Sequence, residues 1–262
     1  MALTYDEFKA IEARYETGEA TELDLAALEP YRARRAVLLA SGFGSRMMPI
    51  TINTPKPLVD VNGVRIIETL LSALIAIDVE EIYIVTGYRA ECFEVLNRDY
   101  PMVTLLNNPL YATTNNISSA CVAKNHLRNA YVFESDLFLN NPALLKKYRY
   151  RSCYMGVPVS ETSDWCFEVL DGRIIDLHKG GSNCYHMYGI SYWSEEDGEK
   201  LEYDLQECFD ADDEVKQRFW DDVPCVIRRE NYDIAIEECT FDDVLEIDSL
   251  AELQEIDARY RI

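Results

Sequence analysis

The 262-residue chain reads as an α/β protein: a mostly parallel or mixed sheet with helices on both faces, preceded by a short helical extension. Three observations predict this. From Arg35 to Asp136, unbroken apolar runs of strand length alternate with helix-length segments, the pattern of strands covered on both faces. Hydrophobic residues make up 48% of the chain, enough for a sizeable core. A glycine- and proline-rich loop follows the first apolar run, where open α/β sheets bind their ligands.

Taken in order, residues 1–34 form the extension and 35–262 the main domain. Thr4 followed by Glu7 is a capping box, after which Phe8, Ile11 and Tyr15 recur at helical spacing. Gly18 ends that helix, and Thr21 to Leu28 predicts a second. Two such helices build no core alone and must pack on the main domain or on a partner. "RAVLLA" is the first strand, Ile66 to Ile77 an apolar helix, "EIYIVTG" a strand, "AECFEVLNRDY" a helix, "MVTLLN" and "AYVFESD" two more strands. In the second half "CYMGVPV" is strand-like, and "CFEVLDGRIIDLH" predicts a hairpin around Asp171-Gly172. "YHMYGISYW" is another strand, acidic helices are expected from about Ser194 to Asp222, "DIAIEEC" returns as a strand, and a helix starts near Ser249.

A net charge of −22 argues against nucleic acid or an anionic membrane as partner. No apolar run approaches a membrane span, and the charged, acidic start is unlike a signal peptide, so a cytoplasmic setting without membrane insertion is expected. Eight scattered cysteines without C-x-x-C spacing read as free thiols in a reducing compartment. Nothing in the sequence marks an oligomeric state. Charge distribution is more informative than the sum. Pro30 to Val59 contains no acid, while Arg32, Arg34, Arg35, Arg46 and Lys56 make it basic; Tyr100 to Phe133 is a second acid-free stretch. An acidic chain that clears carboxylates from two segments makes room there for an anion.

The first of these segments contains Gly42-Phe43-Gly44-Ser45-Arg46-Met47. It fails the dinucleotide fingerprint, because Met47 stands where the third glycine belongs, and it fails the P-loop pattern. Its chemistry survives: glycines let backbone N–H groups approach phosphate oxygens, Arg46 adds a bidentate donor, and Lys56 adds a point charge between Pro55 and Pro57. The longer stretch "AVLLASGFGSRMMPITINTPKPLVDVNG" resembles the signature of the nucleotidyltransferases that make sugar and alcohol nucleoside-diphosphate conjugates, with Ser41 where alanine or glycine is common. The resemblance runs from about Arg35 to Ile262. It implies a Rossmann-like fold of the nucleotide-diphospho-sugar transferase type. It further implies that Leu39, Ala40, Gly42, Gly44 and Ser45 hold the nucleotide, that Arg46 stabilises departing pyrophosphate, and that Lys56 meets the acceptor phosphate. Asp136, ending "AYVFESD", and Asp248, in "LEIDS", match the family's two metal aspartates and imply Mg2+, whose hard carboxylate ligands neutralise charge as pyrophosphate leaves; Glu134 is a weaker neighbour. Gly87, Tyr88, Asn115 and Asn116 are the expected base and ribose contacts. The three histidines have no expected role.

Four shorter stretches, "TNN" at Thr114, "DW" at Asp164, "FWDD" at Phe219 and "LEIDS" at Leu245, resemble bacterial CTP:phosphocholine cytidylyltransferases. Quaternary ammonium groups are recognised by aromatic faces and nearby carboxylates, and Trp165, Phe219, Trp220, Asp221 and Glu246 are the expected cage, with Lys179 completing the substrate-binding set. The expected partners are therefore CTP and a small phosphorylated amino-alcohol, phosphocholine first. A cytidylyltransferase acting on 2-aminoethylphosphonate or phosphoethanolamine is the alternative, then a sugar-1-phosphate nucleotidyltransferase. A non-catalytic nucleotide-binding regulator would lack one of Arg46, Lys56, Asp136 and Asp248, and all four are present. The expected reaction is in-line attack of an already anionic acceptor phosphate on the α-phosphorus, a matter of positioning and electrostatics without a general base.

Overall fold

A computed structural model describes residues 2–261, so Met1 and Ile262, the outer limits of the expected extension and main domain, lie outside the described residues. Helices α1 (Tyr5–Glu16) and α2 (Glu22–Leu28) come first. Both begin with a full capping box, at Thr4/Glu7 and at Thr21/Asp24, and Gly18, at φ +74°, adopts the left-handed conformation that closes the first. The pair buries Phe8, Ile11 and Leu28 against Tyr148. The Tyr31 and Tyr150 rings stack beside them at 5.5 Å. The extension therefore docks on the main domain, as two helices without a core of their own must.

The main sheet begins with β1 (Arg35–Ala40). A small hairpin, β2 (Asp60–Val61) and β3 (Val64–Arg65), leads into α3 (Ile66–Ala76). Then come β4 (Glu81–Thr86), α4 (Glu94–Asp99), β5 (Val103–Asn107), α5 (Ile117–Ala123), β6 (Ala130–Glu134) and β7 (Leu137–Leu139). Two long strands follow, β8 (Cys153–Leu170) and β9 (Arg173–Trp193), and after them α6 (Glu195–Ala211), β10 (Ala235–Glu238), β11 (Val244–Glu246) and α7 (Leu250–Ile256). The seven-stranded sheet runs β10-β8-β9-β6-β1-β4-β5. β6, β1, β4 and β5 are parallel, β9 runs antiparallel to β6 and β8, and β10 is parallel to β8. The mixed sheet has the predicted form.

Alternation along β1 shows why its apolar run is unbroken. Ala36, Leu38 and Ala40 join the core formed with Leu70, Leu71 and Leu74 of α3, while Val37 and Leu39 join that of α5 and α6. Both faces are covered, and the carboxyl ends of β1 and β6 open onto a cavity. All eight cysteines are free thiols, six of them buried. Among the described residues no helix is long and apolar enough to cross a membrane.

The second half differs from expectation in detail. The hairpin at Asp171-Gly172 is there, with φ of +49° and +75°, but it is the tip of one long β8–β9 ribbon with several register shifts. The expected acidic helices reduce to α6, ending at Ala211, followed by a short turn at Val215–Gln217 and another at Val223–Ile227.

Because Phe8 is 2% exposed within the docking cluster, Phe8→Ala should destabilise the protein by about 3–5 kcal/mol in urea unfolding while leaving the KM for nucleotide unchanged. A changed nucleotide KM at unaltered fold would place the extension in the site.

Candidate active site

The loop after β1 is shaped by one glycine. Gly44 sits at φ +61°, and a Cβ there would meet Lys56 Cβ and Thr51 Cγ2 at 3.1 Å each. Thr51 Oγ1 donates to the Gly44 carbonyl at 2.9 Å, and Met47 N–H donates to it at 3.0 Å, folding Ser45–Met47 into a turn. Arg46 and Lys56 are thereby aimed at the same place. The Lys56 Nζ, 7% exposed, donates to Asp136 Oδ2 at 2.8 Å and Asp248 Oδ1 at 2.6 Å. Burial opposes its charge, but the two carboxylates hold its pKa above the ordinary lysine value. The exposed Arg46 grips Asp248 with both terminal nitrogens, at 2.6 and 2.8 Å.

Asp136 and Asp248 meet through a strand pairing that was not foreseen. β11 lies antiparallel to β7 with Glu246 opposite Leu137, and the Ile247 N–H donates to the Asp136 carbonyl at 3.3 Å. Asp248 then precedes the Ser249/Glu252 capping box of α7. The result is a cluster of Asp136, Glu246 and Asp248 whose ligand oxygens lie within 4.8 Å of one another. The Glu246 carboxyl is pushed up, first by loss of water around it and then by the charges of Asp136 and Asp248, although part of the side chain still reaches solvent. Three close carboxylates that repel one another form a donor set that fits a hard divalent cation. Glu134, at the end of β6, is pushed well above the usual carboxylate range by burial and by Asp136 and Asp221, with Asn116 Nδ2 donating to it at 2.7 Å.

Two cavities meet at these carboxylates. The first, about 320 Å3, is lined by Leu39, Ala40, Gly42, Gly44, Ser45, Arg46, Lys56, Asn115, Asn116, Glu134, Asp136 and Asp248. Gly42 has open space beside it, so a side chain there would take up ligand volume. The second, about 350 Å3, is lined by Trp165, Lys179, Phe219, Asp221 and Glu246 and shares Arg46, Glu134, Asp136 and Asp248 with the first. Trp165 and Phe219 form an edge-to-face pair at 5.5 Å. Lys56 lines only the first cavity, but both its carboxylate partners line both.

Three expected site residues lie elsewhere. Trp220 is 3% exposed and packs on Trp193 and Tyr154, with centroids 5.9 and 6.2 Å away, so it belongs to the core and not to a cage. Phe219 and Trp220 are neighbours entering a helical turn, where successive side chains diverge by roughly 100°, and the larger ring takes the interior. Tyr88 does not line the nucleotide-side cavity: its hydroxyl donates to the Thr51 carbonyl at 3.2 Å, and its ring leans on Phe43. Gly87 acts from behind, because a Cβ there would come within 2.6 Å of Tyr111, which does line the cavity. Sequence reasoning missed Ser41, Tyr111, Thr114 and Ser135 in the first cavity; Tyr111 and Thr114 fall in the second acid-free stretch, which was the signal for them. In the second it missed Asp164, Leu177, Met187 and Gly189 as lining residues, whereas Asp222, a candidate acceptor for a primary ammonium from the sequence, does line it.

The arrangement presents backbone donors and two cations beside a carboxylate cluster, as required for moving a nucleotidyl group between phosphates. Comparison with known proteins agrees. The family model described as nucleotidyl transferase matches residues 35–150. Over 229 residues the chain is 39% identical to the 2-aminoethylphosphonate cytidylyltransferase of Lancefieldella rimae, covering 86% of this chain and 92% of that protein. It is 32% identical to the choline-phosphate cytidylyltransferase of Haemophilus influenzae, covering 84% and 95%. The solved structure of the CTP:phosphocholine cytidylyltransferase of Streptococcus pneumoniae aligns with a TM-score of 0.78 at 29% identity, over 87% of this chain and 100% of that one. The chain belongs to the nucleotidyl transferase family. Within it, these relatives, matched over nearly their whole length, are cytidylyltransferases, and the chain is an enzyme of that branch.

Asp136→Asn and Asp248→Asn should each lower turnover by at least about a hundredfold, since removing one charged stabiliser costs 10²–10³ in rate. Steady-state pyrophosphate release checks this, and near-normal rates in either variant would remove that residue from the reaction.

Proposed function

We propose that the protein transfers CMP from CTP to a short phosphonate or phosphate ester bearing a primary ammonium, 2-aminoethylphosphonate foremost, and releases pyrophosphate. The observation carrying this reading is the second cavity. It meets the first at Asp136 and Asp248, and it is lined by Asp164, Asp221 and Asp222 beside only two aromatic rings. A primary ammonium needs hydrogen-bond acceptors, and carboxylates supply them. With Trp220 in the core, the cage expected for a quaternary ammonium loses a face. Phosphocholine, the acceptor expected from the sequence, is the second reading, supported by the Trp165–Phe219 pair.

Asp136, Glu246 and Asp248 would hold Mg2+, which supplies charge neutralisation to the reacting phosphates. The loop around Gly42 to Ser45 binds the nucleotide phosphates through backbone N–H groups. Arg46, which lines both cavities, moves its charge from Asp248 to the departing pyrophosphate. Lys56 fixes Asp136 and Asp248 and adds positive charge at the junction. Lys179 and Arg46 are the basic side chains lining the acceptor cavity among the described residues, and they orient the acceptor's anionic end. That end is its own nucleophile, so positioning is the protein's main contribution.

A pyrophosphate-release panel crossing CTP, UTP, dTTP and ATP with 2-aminoethylphosphonate, phosphoethanolamine, phosphocholine and hexose 1-phosphates tests the assignment. The highest kcat/KM is expected with CTP and 2-aminoethylphosphonate. A phosphocholine optimum would reverse the order of the two readings, and a hexose phosphate optimum would end both. Trp165→Ala should raise the KM for phosphocholine about five- to thirtyfold, from loss of a cation–π face of roughly 1–2 kcal/mol, with a smaller effect on 2-aminoethylphosphonate and none on CTP.

Asp221 gives a pH test. Burial pushes its carboxyl up to about 7, opposed by hydrogen bonds that include one from Tyr154 at 2.6 Å. Only the ionised form attracts an ammonium, so the attraction is present above that pH and is lost as pH falls through it. By pH 6 the ionised fraction is down about tenfold, and the acceptor KM should rise accordingly. The acceptor's own titration is common to wild type and Asp221→Asn, so the ratio of their KM values isolates the effect. A ratio independent of pH would show that Asp221 does not read the ammonium.

A further inference from the structure

A third cavity, of about 470 Å3, shares no lining residue with the other two. It lies where β6 begins, at the opposite end of that strand from Glu134, between α1, the 146–151 segment and the start of β10. That segment reads Lys-Lys-Tyr-Arg-Tyr-Arg, a basic and aromatic run in a chain of net charge −22. Five basic side chains line the cavity against three carboxylates. Four of the cations are already paired: Lys9 and Lys146 with Glu12, Arg149 with Glu237, Arg173 with Asp233. Arg151 is the exception. Among the described residues it forms no ion pair and no hydrogen bond, and its guanidinium lies over the Tyr5 and Tyr150 rings at 4.8 and 5.1 Å. The cation–π contacts hold the group while leaving its N–H donors uncommitted.

We propose that this cavity is a second ligand site, for a small phosphate-bearing anion, built between the amino-terminal extension and the main domain. The volume suits a molecule of nucleotide size, and the acidic remainder of the protein repels polyanionic chains. Guanidinium is the planar donor for phosphate, and the Arg151 guanidinium stands in this cavity beside the exposed Tyr5 ring, with Lys9, paired with Glu12, at the exposed rim. The ligand bridges α1 and the 146–151 segment, so its binding tightens the docking of the extension.

The test is calorimetric titration of the full chain without divalent cation, using inorganic triphosphate in one arm and CTP in the other. Arg46→Ala serves as the background, so that binding at the catalytic loop is weakened. Binding of triphosphate to this protein is expected, falling with added salt and falling at least about tenfold on adding Arg151→Ala, the loss of a charge-assisted hydrogen-bond donor. Arg151→Ala alone should leave kcat and the KM for CTP unchanged. If Arg151→Ala does not fold, Lys9→Gln provides the same test with a loss of about threefold. Equal affinity for both probes supports a site that reads phosphate alone, and tighter CTP binding supports a contact to the nucleoside as well. Absence of binding to the Arg46→Ala protein, or binding unaltered by Arg151→Ala and by Lys9→Gln, overturns the proposal. Because turnover is not the readout, this result is independent of the acceptor assignment.

Discussion

The Lys56 ammonium, buried between Asp136 and Asp248, is the interaction on which the rest of the site depends. It joins the loop after β1 to residues 80 and 192 positions further along the chain. The ammonium is the buried member and the carboxylates are half-buried. Without both carboxylates it would be an uncompensated buried charge, at a cost of about 3–5 kcal/mol. The pairing therefore holds three chain segments in one arrangement: the loop shaped at Gly44, the end of β6 and the approach to α7. Arg46 closes the same junction from the solvent side through Asp248. This electrostatic junction is what makes the glycine loop after β1 and a distant C-terminal turn parts of one candidate site.

A second junction joins the two cavities. The Asn116 side chain donates to Glu134 and accepts from the Trp220 backbone N–H at 2.9 Å. One amide thus ties the start of α5, the end of β6 and the segment carrying Phe219 and Asp221. Asn116 was expected to touch base or ribose. It does line the nucleotide-side cavity, but its hydrogen bonds also fix the acceptor side, so the residue works as a strut between the two.

How much of this was legible in the sequence depends on the range of the interactions involved. The parallel strands, the capping box at Thr4, the helix start near Ser249 and the turn at Asp171-Gly172 are local features, and each appears where its residues predicted it. Arg46, Lys56, Asp136 and Asp248 were singled out by motif and come together in space. The pairing that unites them, β7 with β11, was invisible, because each is a three-residue strand without a pattern of its own. Trp220 was misplaced for a related reason: adjacent aromatic residues give no sign of which faces the core until the turn that carries them is known. Tyr88 and Gly87 lie one step behind the cavity wall, a distinction between lining and supporting residues that composition does not encode. Asp164 and Asp222 stood in quoted motifs, yet their place in the acceptor cavity follows from the fold of the β8–β9 ribbon and the 219–222 turn.

The walls that the two cavities do not share come from different stretches of chain. Residues of the loop after β1 and of 111–115 bound one, whereas the ribbon and the 219–222 turn bound the other. Substitutions in the ribbon therefore reshape the second cavity without disturbing the loop after β1 or the carboxylate junction. Such a layout separates the inheritance of the junction from the inheritance of the pocket beside it. Lineages can remodel that pocket through drift in the ribbon, and a protein engineer can recast it by redesigning a handful of positions there.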